Sequence, residues 1–209
     1  MLASTWFAFF IACWIISLSP GAGAIASMSC GLQYGFWRGY WNALGLQIGL
    51  ALQIAVVAAG VGALLATSAL AFSVIKWFGV VYLAYLAWRQ WSTAPQVMQA
   101  DAERPIGRPL SLVLRGFLVN ASNPKAVIFM LAVLPQFVDL HRPMAIQYVI
   151  MGATMICVDL IVMAGYTGLA ARVLRALRSP RQQRLMNRTF ASLFLGAAAL
   201  LATVRRAPV

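Results

Sequence analysis

Two ionisable side chains fall where the surrounding sequence has almost no polarity, Lys125 and Asp159. Lys125 lies ten residues past Arg115, about 15 Å along a helix, and Asp159 lies thirteen residues before Arg172, about 20 Å. An ionised group so far inside an apolar medium costs about 2.5–3.5 kcal/mol even on insertion scales. Pairing the two within a helix bundle offsets that cost. There, a change of partner on binding a solute or a proton makes Asp159 the candidate proton-coupling residue. The competing reading is a static ion pair, or an acid kept neutral by burial. Lys76, seven residues into its own apolar stretch, suits snorkelling towards an interface.

Two short segments add backbone chemistry. Ser19-Pro20-Gly21-Ala22-Gly23 and Asn120 to Lys125, the latter containing Asn123-Pro124, interrupt apolar runs. Proline removes a backbone donor and frees a carbonyl one turn back, and glycine removes the side chain that would cover it. In lipid, such breaks persist where protein surrounds them or where they line a wet cavity. Ser19, Pro20, Gly21, Gly23, Asn120, Asn123, Pro124 and Lys125 are therefore candidate binding residues, against the plainer reading of kinks that help helices pack. Asn42, Gln47 and Gln53 add amides, of which Asn42 and Gln53, eleven residues apart, share a helical face. They suit hydrogen bonds between helices, or a polar path to which Asn42 contributes a binding group.

Other reactive types form no constellation. His141 is the single histidine, in a short polar segment beside Asp139 and Arg142, and Cys13, Cys30 and Cys157 sit in apolar stretches without metal-ligand spacing. No metal site, cofactor or nucleophile pair is indicated, and no enzyme reading arises.

The elements that position these groups follow from composition. Of 209 residues, 62% are hydrophobic and 10% charged, with mean hydropathy +0.83; soluble domains run near 45–50% and ~25%. The chain reads as an all-α, multi-pass membrane protein, since helices satisfy their own backbone in lipid. At about 20 residues per crossing, six spans fit, near residues 4–30, 39–66, 69–91, 110–138, 144–171 and 189–204. A tight turn at Ala66-Thr67-Ser68 separates the second from the third. The uncharged start, Met1 to Trp37, reads as a retained span rather than a cleaved leader.

The net charge of +12 is segregated. Arg38, then Arg89, Arg104, Arg108 and Arg115, then Arg172, Arg175, Arg178, Arg181, Arg184 and Arg188 fall to connections one, three and five. Arg142, Arg205 and Arg206 fall to the other side. The positive-inside rule puts the first set in the cytoplasm and both termini outside. The last six suit membrane lipid headgroups, interrupted as a helix by Ser179-Pro180; without interleaved aromatics they do not suit nucleic acid.

The two breaks, Ser19-Pro20 and Asn123-Pro124, are offset by 104 residues, half the chain. Three spans per half is odd, so the halves form inverted repeats with broken first and fourth helices, as in many secondary transporters. The single domain divides into a first repeat at 1–91, a cytoplasmic linker at 92–109 and a second repeat at 110–209. Gly31, Gly35, Gly39, Gly45 and Gly49 give small-xxx-small spacings suited to close helix contact within one chain or in a homo-oligomer.

These residues resemble the LysE-type translocators, the lysine exporters and the homoserine and threonine resistance proteins, over nearly the whole chain. The resemblance rests on Ser19-Pro20-Gly21, on Gly35, Gly39, Gly45 and Gly49, and on Lys76-Trp77-Phe78-Gly79 with Tyr82-Leu83. It rests further on Gly116-Phe117-Leu118 with Asn120, then Asn123-Pro124-Lys125-Ala126, Phe129 and Pro135-Gln136-Phe137. The chain departs at Ala22 and Gly23, where the family often has Pro and Asn, and at Ala87, where it often has Gly. The resemblance implies an exporter of amino acids or close derivatives in the bacterial inner membrane, energised by the proton-motive force through antiport. Within it, Lys125 would meet the substrate carboxylate or its counter-ion. The alternatives are export of another small metabolite or cation, or a passive six-helix channel. From the charge asymmetry, a C-terminal reporter that functions only in the cytoplasm is expected to be silent; activity there would refute the orientation.

Overall fold

The computed structural model describes residues 1–67, 69–92, 108–139, 141–170 and 179–203. Those residues are all-helical: α1 (Ala3–Leu18), α2 (Ala22–Thr67), α3 (Ala69–Ser92), α4 (Pro109–Ala121), α5 (Pro124–Val133), a 3-10 turn (Leu134–Phe137), α6 (Met144–Gly168) and α7 (Pro180–Thr203). Both predicted breaks are present. Ser19, Pro20 and Gly21 part α1 from α2, and Ser122 and Asn123 part α4 from α5. Pro135, at the start of the 3-10 turn, ends α5 before the expected end of span four.

Gly35 holds the sharpest turn. Its φ of 73° and ψ of 176° are inaccessible to most side chains, and they fold α2 back on itself. Gly39 then lies so close to Cys30 that a Cβ there would be 2.8 Å from the Cys30 carbonyl oxygen. In a straight helix those residues would be about 13 Å apart along the axis. α2 is thus a hairpin of two arms, 22–34 and 36–67. The first connection shrinks to one glycine, and Arg38 stands on the opening turn of the second arm rather than in a loop.

Other basic residues are likewise helical. Arg89 is on α3, and Arg115 is on α4 and partly buried, both having been expected in a connection. α7 begins at Pro180, nine residues before the expected span, so Arg181, Arg184 and Arg188 occupy its first turns. Of the expected turn, Ala66 and Thr67 still belong to α2, and α3 begins at Ala69; the turn's last residue, Ser68, and Arg104, Arg172, Arg175, Arg178, Arg205 and Arg206 lie outside the described residues.

Glycines set the packing. Gly45 and Gly49 in the second arm of α2 bring its backbone onto Val113, Phe117 and Ala121 of α4, and Gly116 returns the contact onto Asn42 and Leu46. Gly31 presses the first arm against Thr167 of α6. Gly31, Gly39, Gly45 and Gly49 of the ladder make close contacts within the chain.

Helix directions follow from paired contacts. Trp6 bonds Thr154 at 3.0 Å and Tyr166 bonds the Leu18 carbonyl at 2.7 Å, so α1 and α6 run the same way. Gly45 meets Val113 and Gly49 meets Ala121, so α2's second arm runs with α4. Ile54 meets Gly152 while Tyr40 bonds the Leu160 carbonyl, so that arm opposes α6. α3 packs chiefly on α7 and α5. A core of Phe9, Leu46, Leu50, Met130, Met151 and Phe194 joins these elements. Among the described residues, two stretches are long and apolar enough to cross a membrane, Met144–Gly168 and Ala22–Gly60, the latter folded at Gly35; α1 and α4 are apolar but shorter than the ~20 residues a crossing needs.

A methyl at Gly116 would overlap the Asn42 carbonyl and sit 2.9 Å from the Leu46 amide nitrogen. Both are backbone and cannot rotate away. Gly116→Ala is expected to destabilise by about 3 kcal/mol, while Gly196→Ala, with open space at its Cβ, gains up to about 1 kcal/mol from helix propensity. Thermal unfolding in detergent of both variants tests this; equal melting temperatures would refute the tight seam.

Candidate functional site

The two breaks open onto one cavity, of about 80 Å³. α1 and its break contribute Ile16, Ser17, Ser19 and Gly21; the α2 hairpin contributes Gly23, Ala24, Leu46 and Leu50. Asn120, Asn123, Ala126, Phe129 and Met130 come from either side of the second break, and Met155, Asp159 and Met163 from α6. Six of the residues singled out from sequence, Ser19, Gly21, Gly23, Asn120, Asn123 and Asp159, thus share a wall. Pro20 adjoins the cavity in sequence without lining it. Asn42 is fully buried at the α2–α4 seam, away from the lining, and neither its amide nitrogen nor its oxygen has a partner among the described residues. The Pro124 and Lys125 side chains, and with them the expected Lys125–Asp159 pair, lie outside the described residues, as does the Lys76 side chain.

Asp159 is partly buried and accepts a hydrogen bond of 2.7 Å from Gln47 Nε2. Ser17 lies beside the same carboxylate. A carboxylate oxygen accepting from an amide is held in place, and bonds to an ionised acceptor are the stronger class. From sequence Gln47 suited either a bond between helices or a polar path, since an amide in an apolar helix does not reveal which neighbour it meets; the structure gives it the bond to Asp159.

The second break is built around Asn120. Its side-chain amide donates to the Leu46 carbonyl at 2.7 Å, and its own carbonyl accepts from Gln53 at 2.6 Å and from the Asn123 amide at 2.9 Å. These bonds tie the end of α4 to α2 and supply partners that lipid cannot. Gln53 is therefore a contact between helices. At the first break the Leu18 carbonyl accepts from Tyr166. Tyr166 stands seven residues, two turns, beyond Asp159 on α6, and no sequence signal marked it.

After each break a helix begins at the cavity edge. Gly21, Gly23 and Ala24 lie at the N-terminus of α2, and Asn123 and Ala126 at that of α5. The first amides of a helix lack helical partners and carry partial positive charge. A carboxylate on one side and two helix N-termini on others give the cavity opposite polarities, with Leu46, Leu50, Phe129, Met130, Met155 and Met163 as an apolar wall. A polar cluster before α6 is structural: Gln147 exchanges bonds of 2.9 and 2.8 Å with the backbone of Asp139, whose carboxylate pairs with Arg142 at 3.2 Å. His141 is exposed in that turn.

Interrupted helices around a small cavity with polar groups at the breaks are an arrangement that recurs in secondary transporters. The family profile described as LysE type translocator matches residues 14–205, and the chain belongs to that family. It is 40% identical over 200 residues to an uncharacterized membrane protein of Vibrio cholerae, covering 96% of this chain and 97% of that one. It is 39% identical over 202 residues to the homoserine/homoserine lactone efflux protein of Salmonella typhimurium, covering 97% and 98%. A leucine efflux protein of Enterobacter sp. is 28% identical over 199 residues, 93% of each chain. No solved structure matches the chain.

Tyr166→Phe keeps the ring and removes only the donor to Leu18. It is expected to cost about 1 kcal/mol, roughly 3 °C in Tm. Tyr85→Phe, at an exposed position, is expected to leave Tm unchanged. Two indistinguishable melting curves would show that the first break does not depend on this bond.

Proposed function

We propose that this protein exports amino acids or close derivatives across the bacterial inner membrane by proton-driven antiport, through alternating access at the cavity between its two helix breaks. The observation that carries the reading is the convergence of both breaks and Asp159 on that cavity. The names of the relatives, efflux proteins for homoserine and its lactone and for leucine, support the substrate class.

In this reading the chain is one domain that crosses six times as two inverted repeats, 1–91 and 110–209, joined by a cytoplasmic linker at 92–109, with both termini outside. The helix directions support it: elements of the first and fifth spans run together, as do those of the second and fourth, and the second opposes the fifth. The glycines of the second arm on α4, with Gly116 returning the contact, support a pairing of the repeats across a shared axis.

An amino acid meets both polarities. Its ammonium faces Asp159, and its carboxylate faces the N-termini of α2 and α5, with Lys125 beside the second break as the cationic partner. Ser19, Gly21, Gly23, Asn120 and Asn123 position the α-carbon, and Pro20 and Pro124 keep the breaks from closing into continuous helix. The apolar wall takes the side chain.

Coupling follows from competition for one carboxylate. Open to the cytoplasm, ionised Asp159 accepts the substrate ammonium. Open to the outside, where protons are driven inward, protonation removes its charge and releases the substrate. The protonated form returns inward and gives its proton to the cytoplasm, which regenerates the ionised acid and completes the cycle. One proton moving through the field yields about 2.3 kcal/mol per 100 mV, enough to expel a zwitterion against more than a tenfold gradient at about 1.4 kcal/mol.

Everted vesicles with labelled homoserine and leucine test both parts. Uptake should require an imposed proton gradient and fall at least about tenfold in Asp159→Asn, the equivalent of about 1.4 kcal/mol. Uptake that survives collapse of the gradient would indicate a channel. A full rate in Asp159→Asn would remove the coupling role, and no movement of any amino acid would refute the substrate class.

A further inference from the structure

The transport cavity leaves unused a second polar feature, at the corner where the end of α3 meets the start of α7. Asn187 and Gln183 are buried there, and Asn187 Oδ1 accepts from Gln90 Nε2 at 3.0 Å, fixing α7 to α3. An adjoining, exposed face of the same turns presents Arg181, Arg184 and Arg188, spaced three and four residues apart. The Arg188 guanidinium lies 5.2 Å from the Trp91 ring centre. Trp91, Trp88 and Leu185 are exposed around it, at 57%, 65% and 68%.

Two facts make this more than a topological label. Neither acidic residue among the described residues is available to the cluster, since Asp139 holds Arg142 and Asp159 holds Gln47. Helix length is the second. Sixteen residues separate Arg188 from Arg205 in the sequence, fewer than the ~20 that a crossing of the hydrocarbon core needs. The mismatch draws the arginine end of α7 to the hydrocarbon edge, where a guanidinium needs an anionic oxygen beside it. Indole rings at the same level are the usual mark of that interface.

We propose that Arg184 and Arg188, with Trp91, bind the phosphate of an anionic phospholipid headgroup, its acyl chain lying along Leu185 and Trp88. A planar guanidinium offers a fork of donors to phosphate oxygens, and its stacking on Trp91 orients that fork. Arg181 adds long-range attraction. The ligand is a lipid rather than a soluble phosphate because its contacts join the arginines to exposed apolar surface.

Purified protein in a neutral detergent is to be melted with added phosphatidylglycerol, phosphatidylcholine or inorganic phosphate. Phosphatidylglycerol should raise the Tm of the wild type by about 3 °C more than phosphatidylcholine does. The Arg184→Gln/Arg188→Gln protein should lose that difference, the exposed single variant Arg184→Gln should lose part of it, and Arg142→Gln should keep it. An equal rise in wild type and double variant would overturn the site. The same rise with inorganic phosphate would overturn the lipid as its ligand. Neither result bears on transport, whose assay needs no lipid comparison.

Discussion

A helix interrupted inside a bilayer strands backbone groups that lipid cannot satisfy, and the architecture follows from where those groups find partners. At the first break the Leu18 carbonyl is met by Tyr166. At the second, the Asn120 carbonyl is met by Gln53 and Asn123, while the Asn120 amide reaches Leu46. Apart from Asn123, which is local, each partner comes from an element that had to be brought near: α6 for the first break, the second arm of α2 for the second. The breaks act as organising points, since satisfying them fixes which helices are neighbours.

That neighbourhood depends in turn on close approach. Asn120 can reach Leu46 only if α4 and α2 lie nearly backbone to backbone, and Gly45, Gly49 and Gly116 supply that proximity. In lipid there is little hydrophobic gain from packing one apolar helix on another, so association rests on fitted surfaces and on hydrogen bonds between helices. Here the two coincide. The seam that removes side chains also carries the polar bonds, and the cavity lies beside it because the break at 122–123 interrupts α4 at the end of the seam.

Much of this was legible in the residues. Proline with glycine or asparagine inside apolar runs located both breaks, and small residues at four-residue spacing marked the helix faces that touch. The turn at Gly35 was hidden because a glycine that packs and a glycine that turns leave the same mark in sequence; only its positive φ tells them apart. Arg38, Arg115, Arg181, Arg184 and Arg188 were assigned to connections because hydropathy treats charge as an end of helix, whereas arginine is a good helix former with a stem long enough to carry its charge outward. Tyr166 escaped notice for another reason. Its role depends on one hydroxyl meeting one freed carbonyl from a residue 148 positions away, and no periodicity encodes that.

The described lining of the cavity contains one formally charged side chain, Asp159. A single carboxylate can neutralise one cation at a time, whether an ammonium group or a proton, and its tie to Gln47 is a bond an amide can keep with either form. The tie holds the acid in position without deciding its charge. A stronger fixed partner would pin the carboxylate in its ionised form, and a wholly apolar setting would pin it neutral. Exchange requires neither extreme. An acid held by a neutral amide, partly buried, between two helix N-termini sits at neither extreme, and the Gln47 bond ties its carboxylate to α2, whose second arm packs on α4 and whose two arms both meet α6.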